Sequence, residues 1–479
     1  MTTDKYLSDI RAGMLAYNNG HAAQRDSWKK HAYYYHGQIE RLLAGIIPAG
    51  QSVVEIGCAT GDLLASLKPS RGLGLDFSTE MLAVARAKHP GLAFELDDLE
   101  DLKTRETFDY VVASDVIGSL ADVWTAFRNI RRLCKPQTRV VITYYNYLWE
   151  PLLRFAEAVG LKAKQPLQHW LPLGDISNLL RLSGFQVVQT GYHVLIPLWI
   201  PGLSYLANRF LARLPFLRRL CLVEYVIARP EPAPAKPEDY TVSVIVPTLN
   251  EAGTIAPLVE RLPLMGLSTE VVFVDGASDD GTREAILAEK AKPKPGFSIT
   301  LIDQGGRLGK GDAVRKAFAA ATGEVLMILD SDLSVAPEDM PKFYLALQEG
   351  RGEFINGSRL NYPMEKQAMR YLNNIGNHFF GAALSWLLGR RIRDTLCGTK
   401  ALFKADYERI AANRKYFGDF DPFGDFDLLF GAARLSLDIV QMPVRYRSRA
   451  YGDTKISRFR HGLLLLRMCL FASAKLKFT

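Results

Sequence analysis

No stretch of this 479-residue sequence is apolar for long enough to cross a membrane as a helix. Such a helix needs roughly 20 consecutive, mainly apolar residues. The best candidates are 193–203, which Pro197 and Pro201 interrupt, and 462–474, which Arg467 interrupts. The first residues, MTTDKYLSDIRAGM, also lack the apolar core of a signal peptide. We therefore expect no transmembrane helix, no signal peptide and a cytoplasmic location.

Cysteine is scarce and scattered, and its five positions form no CxxC pair: Cys58, Cys134, Cys221, Cys397 and Cys469. An odd number of distant cysteines argues against a disulfide framework, and the missing CxxC spacing argues against a structural zinc site. The sequence therefore predicts reduced thiols in a reducing compartment.

The sequence has no acidic excess, and its net charge of +8 comes from one place. Residues 445–479 contain nine Lys or Arg and one acid, Asp453, while the rest of the chain is balanced with 50 basic and 50 acidic residues. No nucleic-acid-binding motif accompanies these charges, so we expect no nucleic-acid partner. A basic tail mixed with leucines favours an anionic membrane surface.

Four prolines in residues 229–240, RPEPAPAKPEDY, predict a semi-rigid linker between two domains, 1–228 and 241–479. Each half alternates short β-branched runs with helical patterns, which predicts two α/β domains with mostly parallel sheets. The predicted strands are 52–56, 72–76, 92–96, 109–114 and 139–144 in the first half, and 241–247, 270–275, 298–303, 325–330 and 354–357 in the second.

In the first half, the strand SVVEI runs into a turn with Gly57 and Gly61, and a helical pattern follows. Glycines allow a tight turn that lets the backbone approach a ligand, and the following helix offers free N–H groups. The next strand ends in Asp76, an acid placed about 20 residues later, where it can bind both hydroxyls of a ribose. The spacing Glu55-x-Gly57-x-x-x-Gly61 differs from the dinucleotide-binding GxGxxG.

With these residues, 27–150 resembles the class I S-adenosylmethionine-dependent methyltransferases, which have a Rossmann-like sheet. The resemblance implies that Glu55, Gly57 and Gly61 accommodate the methionine part of S-adenosyl-L-methionine and that Asp76 binds its ribose. It implies further cofactor contacts for the adenine and the acceptor side: Phe77 and Met81 beside the adenine, Asp98 and Leu99 at its edge, and Ser114 with Asp115 where the acceptor meets the cofactor.

Residues 146–228 are predicted to form an acceptor-binding cap. A general base is needed only if the acceptor must lose a proton, and the candidates are Asp115, Tyr144, Tyr145 and His169. Segment 193–223 combines apolar residues with four arginines, so it fits either a membrane interface or a core helix with a basic face.

The second half carries four motifs in order. Strand SVIVP leads to Glu251, strand VVFVD ends at Asp275 before Asp280, Lys310 opens a helix, and VLMILD ends in Asp330-Ser331-Asp332. Acids at successive strand ends meet at one edge of a parallel sheet. Two carboxylates one residue apart suit Mg²⁺ or Mn²⁺ bridging phosphates, and Lys310 neutralises a diphosphate further. The P-loop spacing is absent, which argues against an ATPase.

Residues 241–479 resemble the inverting family 2 glycosyltransferases, which have a GT-A fold, and more narrowly the dolichyl- or polyprenyl-phosphate sugar synthases. The resemblance implies that Pro247, Glu251, Asp275 and Asp280 hold the nucleotide of a nucleotide-diphosphate sugar. It assigns Asp330 and Asp332 to the metal. It also places Arg359 near the transferring groups, 394–400 beside the acceptor, and Arg449 with Lys455 on a basic loop that closes on phosphates.

The expected reaction is an in-line attack on the anomeric carbon of the sugar with inversion. A lipid-phosphate acceptor is already anionic and needs no base, whereas a hydroxyl acceptor requires a carboxylate, for which Asp427 is the candidate. The sequence thus predicts a methyltransferase fused to a glycosyltransferase. The alternative is a glycosyltransferase acting on a hydroxyl, with a first half that only binds or scaffolds.

The C-terminal segment 459–479 is predicted to form a helix whose apolar stripe is Leu463, Leu466, Leu470 and Ala474, with basic residues at both ends. Segment 375–389 is similarly apolar. Both fit either docking on a bilayer or packing in the core.

Overall fold

The computed structural model describes residues 3–232, 240–292, 294–359, 371–413, 425–447 and 466–473, and within these ranges the side chains of 3–7, 371–378 and 425 are left undescribed. The chain divides between Glu231 and Pro232 into two compact units, each with one seven-stranded sheet. Residues 233–239 of the predicted linker lie outside the described residues.

The sheet of the N-terminal unit has the strand order β3-β2-β1-β4-β5-β7-β6. Strands β1 to β5 are parallel, and β7 lies antiparallel between β5 and β6. The strands are β1 Ser52–Ile56, β2 Arg71–Asp76, β3 Ala93–Leu96, β4 Phe108–Ser114, β5 Cys134–Tyr145, β6 Phe185–His193 and β7 Val223–Pro230. The helices are α1 Thr3–His21, α2 Arg25–His31, α3 Tyr33–Ile46, α4 Asp62–Ser66, α5 Thr79–Lys88, α6 Val123–Ile130, α7 Glu150–Ala158, α8 Leu173–Leu182 and α9 Leu203–Arg209.

Local sequence explains the helix starts that frame this sheet edge. The Ser78 hydroxyl accepts a hydrogen bond from the backbone N–H of Met81 at 3.2 Å, and Asp122 accepts one from Thr125 at 3.0 Å. Such caps satisfy backbone donors that the first turn of a helix leaves unpaired. They fix where α5 and α6 begin relative to the strand ends before them.

Strands β6 and β7 correct two predictions. Both strands fall largely within 146–228, so that segment contributes two strands to the sheet, and its role as an acceptor-binding cap stays a prediction. Strand β7 also extends through Arg229 and Pro230, which the proline content assigned to the linker. The Arg229 side chain donates to Gln186 of β6 at 2.9 and 2.7 Å, and pairing with β6 holds this end of the strand in place despite the proline.

The sheet of the C-terminal unit has the strand order β10-β9-β8-β11-β13-β12-β14. Strands β8 to β11 are parallel, while β13 is antiparallel to β11 and β12. The strands are β8 Thr241–Thr248, β9 Ser268–Asp275, β10 Phe297–Asp303, β11 Val325–Ile328, β12 Phe354–Ser358, β13 Lys400–Phe403 and β14 Ile439–Pro443. The helices are α10 Ala252–Arg261, α11 Thr282–Lys290, α12 Lys310–Ala320, α13 Met340–Gln348, α14 Tyr371–Leu388, α15 Lys404–Ala412 and α16 Asp425–Arg434.

The two α/β domains are therefore confirmed, but both sheets are mixed. The sequence pattern did not identify β13 and β14, which are short, and β11 ends at Ile328, two residues before the predicted end. Asp330 consequently lies beyond the strand, at the carboxyl edge of the sheet.

The C-terminal helix buries one face and exposes the other. Residues 466–472 are helical; Met468, Cys469 and Ala472 pack in the core, whereas Leu466 and Leu470 of the predicted stripe are exposed. Leu463 and Ala474 lie outside the described residues. In 375–389, Leu384 and Leu387 are core and Phe379 is exposed. None of the helices described is long and apolar enough to span a membrane.

Candidate active sites

The N-terminal unit contains a cavity of about 700 Å³ at the carboxyl ends of its parallel strands. Its wall includes most of the predicted cofactor residues, namely Gly57, Asp76, Phe77, Met81, Asp98, Leu99, Ser114 and Asp115. Two predicted residues lie outside this wall. Glu55 lines a small adjoining cavity of about 60 Å³, and Gly61 begins α4.

The turn after β1 requires glycine at two positions. Gly57 has φ +68°, and a Cβ there would lie 2.2 Å from Val116 Cγ2. Gly61 has φ +77°, and its Cβ would lie 2.6 Å from the Phe94 ring. Side chains at these positions would be both strained and sterically blocked. The turn therefore brings its backbone to the cavity wall at Gly57, where it can approach a bound ligand.

Glu55 supports this turn from beneath. Its buried carboxyl accepts a hydrogen bond from the backbone N–H of Leu64 in α4 at 2.9 Å. Burial raises the pKa of Glu55 to about 8, and the Leu64 hydrogen bond opposes only part of that rise. Glu55 thus positions the loop and the first turn of α4.

Asp76 is buried at the end of β2 and holds the same turn in place. Its carboxylate oxygens accept hydrogen bonds from the N–H groups of Ala59 and Ser78, each at 2.9 Å. Burial raises its pKa despite these donors. The wall thus presents an oriented carboxylate of the kind that accepts hydrogen bonds from ribose hydroxyls.

The two acids after β3 differ in role. Asp97 accepts hydrogen bonds from the Thr104 N–H and hydroxyl at 2.8 and 2.6 Å, so it fixes the loop. Asp98 accepts one from the Glu100 N–H at 2.9 Å and lines the cavity. Leu99 lies beside it on the wall, and the role of the two residues at the adenine edge stays a prediction.

Asp115 follows β4 in a left-handed conformation with φ +57°. The Tyr35 hydroxyl donates to its Oδ2 at 2.7 Å, while Oδ1 is buried without a hydrogen-bond partner among the described residues. Burial raises the pKa of Asp115 to about 6, opposed by the Tyr35 hydrogen bond and the charges of Arg25 and Lys162. A non-glycine residue held at positive φ with an orphan carboxylate oxygen in a cavity wall is typical of a functional group.

The other base candidates divide by position. Tyr145 lines the cavity, and burial raises the pKa of its hydroxyl. Tyr144 does not line it and accepts a hydrogen bond from Gln168 at 3.2 Å. His169 bonds the Leu120 carbonyl oxygen at 2.8 Å and is likewise absent from the wall, so it stabilises a loop.

The N-terminal helices contribute to the cavity wall, which the sequence did not predict. Arg11, Met14 and Tyr17 of α1, together with Arg25 and Trp28 of α2, line the same cavity. No motif marks these residues, and they lie far from the strand ends in sequence. Only the packing of the helices over the sheet edge brings them to the cavity.

In the C-terminal unit, Lys310 at the start of α12 forms an ion pair with Asp330 at 2.6 Å. Burial favours the protonated carboxyl, but the charges of Lys310, Lys400 and Arg359 and the Lys310 hydrogen bond hold the pKa of Asp330 below its usual range. Gly398 packs against this pair, since a Cβ there would lie 2.3 Å from both Asp330 Oδ2 and Lys310 Nζ.

Asp332 lies two residues after Asp330 and accepts a hydrogen bond from the Ser334 N–H at 3.0 Å. Ser331 between the two acids donates to the Pro247 carbonyl oxygen at 3.0 Å and ties the DSD loop to the end of β8. Carboxylate oxygens suit a hard divalent cation whose remaining ligands are phosphates and water. No cluster of three or more His, Cys, Asp or Glu able to hold a metal occurs among the described residues.

The predicted nucleotide residues meet at the same sheet edge. Thr248 at the end of β8 pairs in register with Asp275 at the end of β9. The Asp275 carboxylate accepts a hydrogen bond from the Ser278 hydroxyl at 2.5 Å, and Glu251 is buried beside the start of α10.

Asp280 has a visible structural role at this edge. It accepts hydrogen bonds from the N–H groups of Ala252 and Thr282, each at 3.1 Å, and so joins the starts of α10 and α11. These donors and the Thr282 hydroxyl lower its pKa against the opposing effect of burial.

Arg359 is buried and pairs with Asp394 through two hydrogen bonds, from Nε at 2.7 Å and Nη2 at 2.8 Å. The Tyr446 ring lies 5.0 Å from its guanidinium carbon. Asp394 was predicted to lie on the acceptor-side loop, but its pairing with Arg359 was not predicted. Asp427 is buried in the first turn of α16, while Arg449 and Lys455 lie outside the described residues.

Each of the two units matches a different protein family. Residues 27–190 match the family described as "Methyltransferase domain", and residues 243–410 match "Glycosyl transferase family 2". A solved S-adenosylmethionine-dependent methyltransferase from Thermotoga maritima is similar at 16% identity and a TM-score of 0.36, covering 45% of this chain and 99% of that one.

Curated relatives match about half of this chain. Glycosyltransferase AglJ of Haloferax volcanii is 30% identical over 228 residues, which cover 47% of this chain and 70% of the relative. The dolichol-phosphate mannosyltransferase of Pyrococcus furiosus is 30% identical over 227 residues, covering 45% and 59%. Glycosyltransferase AglD of H. volcanii is 27% identical over 237 residues, covering 48% and 36%. The chain thus spans less than two thirds of the length of the last two.

Proposed function

The chain belongs to glycosyltransferase family 2, and we propose that it is a bifunctional transferase. One activity transfers a sugar from a nucleoside-diphosphate sugar to a polyprenyl phosphate. The other transfers the methyl group of S-adenosyl-L-methionine to a hydroxyl of a glycan, lipid or related acceptor. We further propose that the enzyme acts peripherally at the cytoplasmic face of a membrane.

The Lys310–Asp330 pair beside Asp332 is the observation that carries the sugar-transfer proposal. A divalent cation held by the two carboxylates supplies charge neutralisation of the donor diphosphate when bound. Lys310 is placed to add a second positive charge beside the diphosphate, and Glu251, Asp275 and the loop before α11 form the nucleotide side of the site. A cationic site of this kind stabilises the leaving nucleoside diphosphate.

A phosphate acceptor suits this site because the bond changes need no proton transfer. One phosphate oxygen of the acceptor bonds to the anomeric carbon, and the bond from that carbon to the donor diphosphate breaks. The relatives named as dolichol-phosphate mannosyltransferases support such an acceptor. A hydroxyl acceptor would require a base, for which Asp427 is the candidate.

The cavity of the N-terminal unit supports the methylation proposal. Bound S-adenosyl-L-methionine supplies an electrophilic methyl group, and the residues of the wall orient it against the acceptor. Asp76 would bind the ribose, Asp98 and Leu99 the adenine edge, and Gly57 the methionine part. Asp115 Oδ1 is the acceptor-side base, because it is buried without a partner in the same wall.

The decisive experiment incubates the full chain with a panel of nucleotide sugars, Mg²⁺ or Mn²⁺ and polyprenyl phosphate, followed by mass spectrometry. A polyprenyl-phosphate sugar supports the proposal, whereas transfer only to soluble hydroxyl acceptors contradicts it. Addition of S-adenosyl-L-methionine tests for a gain of one methyl group on the product or on a separate acceptor. Calorimetry tests cofactor binding, and no binding would support a non-catalytic first half.

A further inference from the structure

Residues 193–222 contain four arginines and no acidic residue. Between Leu198 and Leu220, eleven large apolar or aromatic side chains are exposed, including Phe216 at 89% and Leu206 at 54%. We name these eleven side chains the 198–220 surface: Leu198, Trp199, Ile200, Leu203, Tyr205, Leu206, Phe210, Leu211, Leu214, Phe216 and Leu220. Contiguous apolar exposure on this scale marks an interaction site, whereas scattered exposed leucines do not.

The 198–220 surface is built on a defined scaffold. Asn208 in α9 accepts hydrogen bonds from the N–H groups of Leu195 and Ile196 at 2.7 and 2.9 Å, which closes the segment into a compact turn. The Trp199 ring packs against Tyr34 of α3, with centroids 5.2 Å apart. These contacts of Asn208 and Trp199 therefore anchor the segment that carries the exposed side chains.

The same surface borders the mouth of the methyltransferase cavity. The indole N–H of Trp149, just before α7, donates to the Leu220 carbonyl oxygen at 2.8 Å and joins α7 to the segment. Leu198 lines the cavity and is exposed, and so are Leu152 and Phe155 of α7. Apolar surface thus continues from the protein exterior into the cavity.

We infer that the 198–220 surface docks the methyltransferase unit on an anionic bilayer, so that a lipid-borne methyl acceptor reaches the cavity through its apolar mouth. This inference rests on the proposed function and extends it by locating the membrane contact and the source of the acceptor. Apolar side chains enter the acyl region, while Arg209, Arg218 and Arg219, which are half-buried or exposed, meet lipid phosphates.

The charge pattern favours a lipid surface over a second copy of this chain. Two copies meeting through this patch would bring six half-buried or exposed arginines together, namely Arg209, Arg218 and Arg219 of each copy, without an acid from either 193–222 segment. Like charges placed together oppose association. An anionic bilayer instead supplies both the apolar phase and the compensating negative charge.

The direct test places an environment-sensitive nitrobenzoxadiazole fluorophore on Phe216→Cys in the full chain. The native cysteines are buried or half-buried, and labelled wild-type protein gives the background. Phosphatidylcholine vesicles containing phosphatidylglycerol should shift the emission to the blue, and phosphatidylcholine alone should do so much less. Leu182→Cys in α8, which is also exposed at 65%, is the matched control and should not shift. An unshifted label at 216 with vesicle-bound protein overturns the inference.

The second test measures vesicle flotation of Leu206→Ser/Phe216→Ser against Leu182→Ser. Removing two membrane-entering side chains should lower the vesicle-bound fraction at limiting lipid by about tenfold or more, while calorimetry with S-adenosyl-L-methionine remains unchanged. Equal flotation of both variants overturns the inference. So does light scattering that shows the double variant converting a dimer to a monomer without any lipid effect.

These experiments distinguish a failure of the docking inference from a failure of the proposed function. Loss of cofactor binding or sugar transfer in soluble assays would contradict the function while the label at 216 still reports docking. A label that stays in water while the soluble assays succeed would contradict the docking surface and leave the function standing.

Discussion

The guanidinium of Arg359 and the carboxylate of Asp394 form a buried, two-pronged ion pair, with side chains 10% and 0% exposed. The same geometry occurs at the protein surface between Arg261 and Glu338, where both hydrogen bonds are 2.8 Å and the side chains are 34% and 52% exposed. The two pairs differ mainly in burial, so they form a matched comparison within one unit.

We predict that Arg359→Met destabilises the C-terminal unit by about 3–5 kcal/mol, because it leaves the Asp394 charge buried without its partner. Arg261→Met, the control, should cost at most about 1 kcal/mol, since water screens the exposed pair. Pulse proteolysis of the full chain in urea measures both, with fragments of the C-terminal unit followed on gels. Similar losses for the two variants would contradict the argument from burial.

Asp332→Ala should abolish sugar transfer, and chelation of divalent metal should do the same to the wild type, because both remove the charge that stabilises the leaving diphosphate. Binding of S-adenosyl-L-methionine should stay unchanged by calorimetry, since the proposed cofactor cavity lies in the other unit. Glu338→Ala is the control, because this exposed acid pairs with Arg261 at 2.8 Å. Full activity of Asp332→Ala would remove this residue from the metal site.

The rate of methyl transfer should rise with pH through about 6 and then level off, because Asp115 acts as a base only when it is ionised. Asp115→Asn should lower the rate by about 10²–10⁴-fold while the cofactor still binds. Tyr35→Phe removes a hydrogen bond that lowers the pKa of Asp115, so the rising limb should move to higher pH. Tyr144→Phe is the control and should leave the limb in place. A rate that does not change between pH 5 and 8 would argue against Asp115 as the base.

The parallel part of each sheet was predicted well from the sequence. Buried runs such as 52–56 and 241–247 are short and rich in β-branched residues, which is typical of parallel strands. It failed at β6, whose residues FQVVQTGYH mix polar and apolar positions on an edge strand, and at β7, where Pro230 suggested a linker. Pairing between β6 and β7 decides these segments, and such long-range pairing leaves little local signal.

The site residues show the same difference between local sequence signals and long-range contacts. Gly57 follows a predicted strand, and Asp76 and Asp330 are the last residues of predicted strands, so topology alone brings them to a sheet edge. Tyr35 could not be assigned, because its contact with Asp115 joins residues 80 positions apart and depends on how α3 packs. Likewise, the pairing of Arg359 with Asp394 depends on side-chain direction, which strand and helix patterns do not specify.

Asp76→Ala should weaken binding of S-adenosyl-L-methionine by about 1–3 kcal/mol, the usual effect of leaving hydrogen-bonding groups without a partner. The loss includes the effect of releasing the N–H groups of Ala59 and Ser78. Asp122→Ala removes a different carboxylate that accepts a backbone hydrogen bond but does not line the cavity, and it should leave the affinity unchanged. Calorimetry gives both values, and equal affinities would remove Asp76 from the ribose site.

Gly57→Ala tests whether the turn after β1 is shaped by its ligand. The new methyl group would lie 2.2 Å from Val116 Cγ2 at φ +68°, so the backbone or Val116 must move at the cavity wall. We expect cofactor affinity to fall at least tenfold, about 1.4 kcal/mol, with a smaller loss of thermal stability. Gly91→Ala is the control, because a Cβ there meets no atom within 4 Å. A variant that unfolds under the assay conditions would show a structural need for Gly57, whereas a folded variant with wild-type affinity would place the cofactor away from this turn.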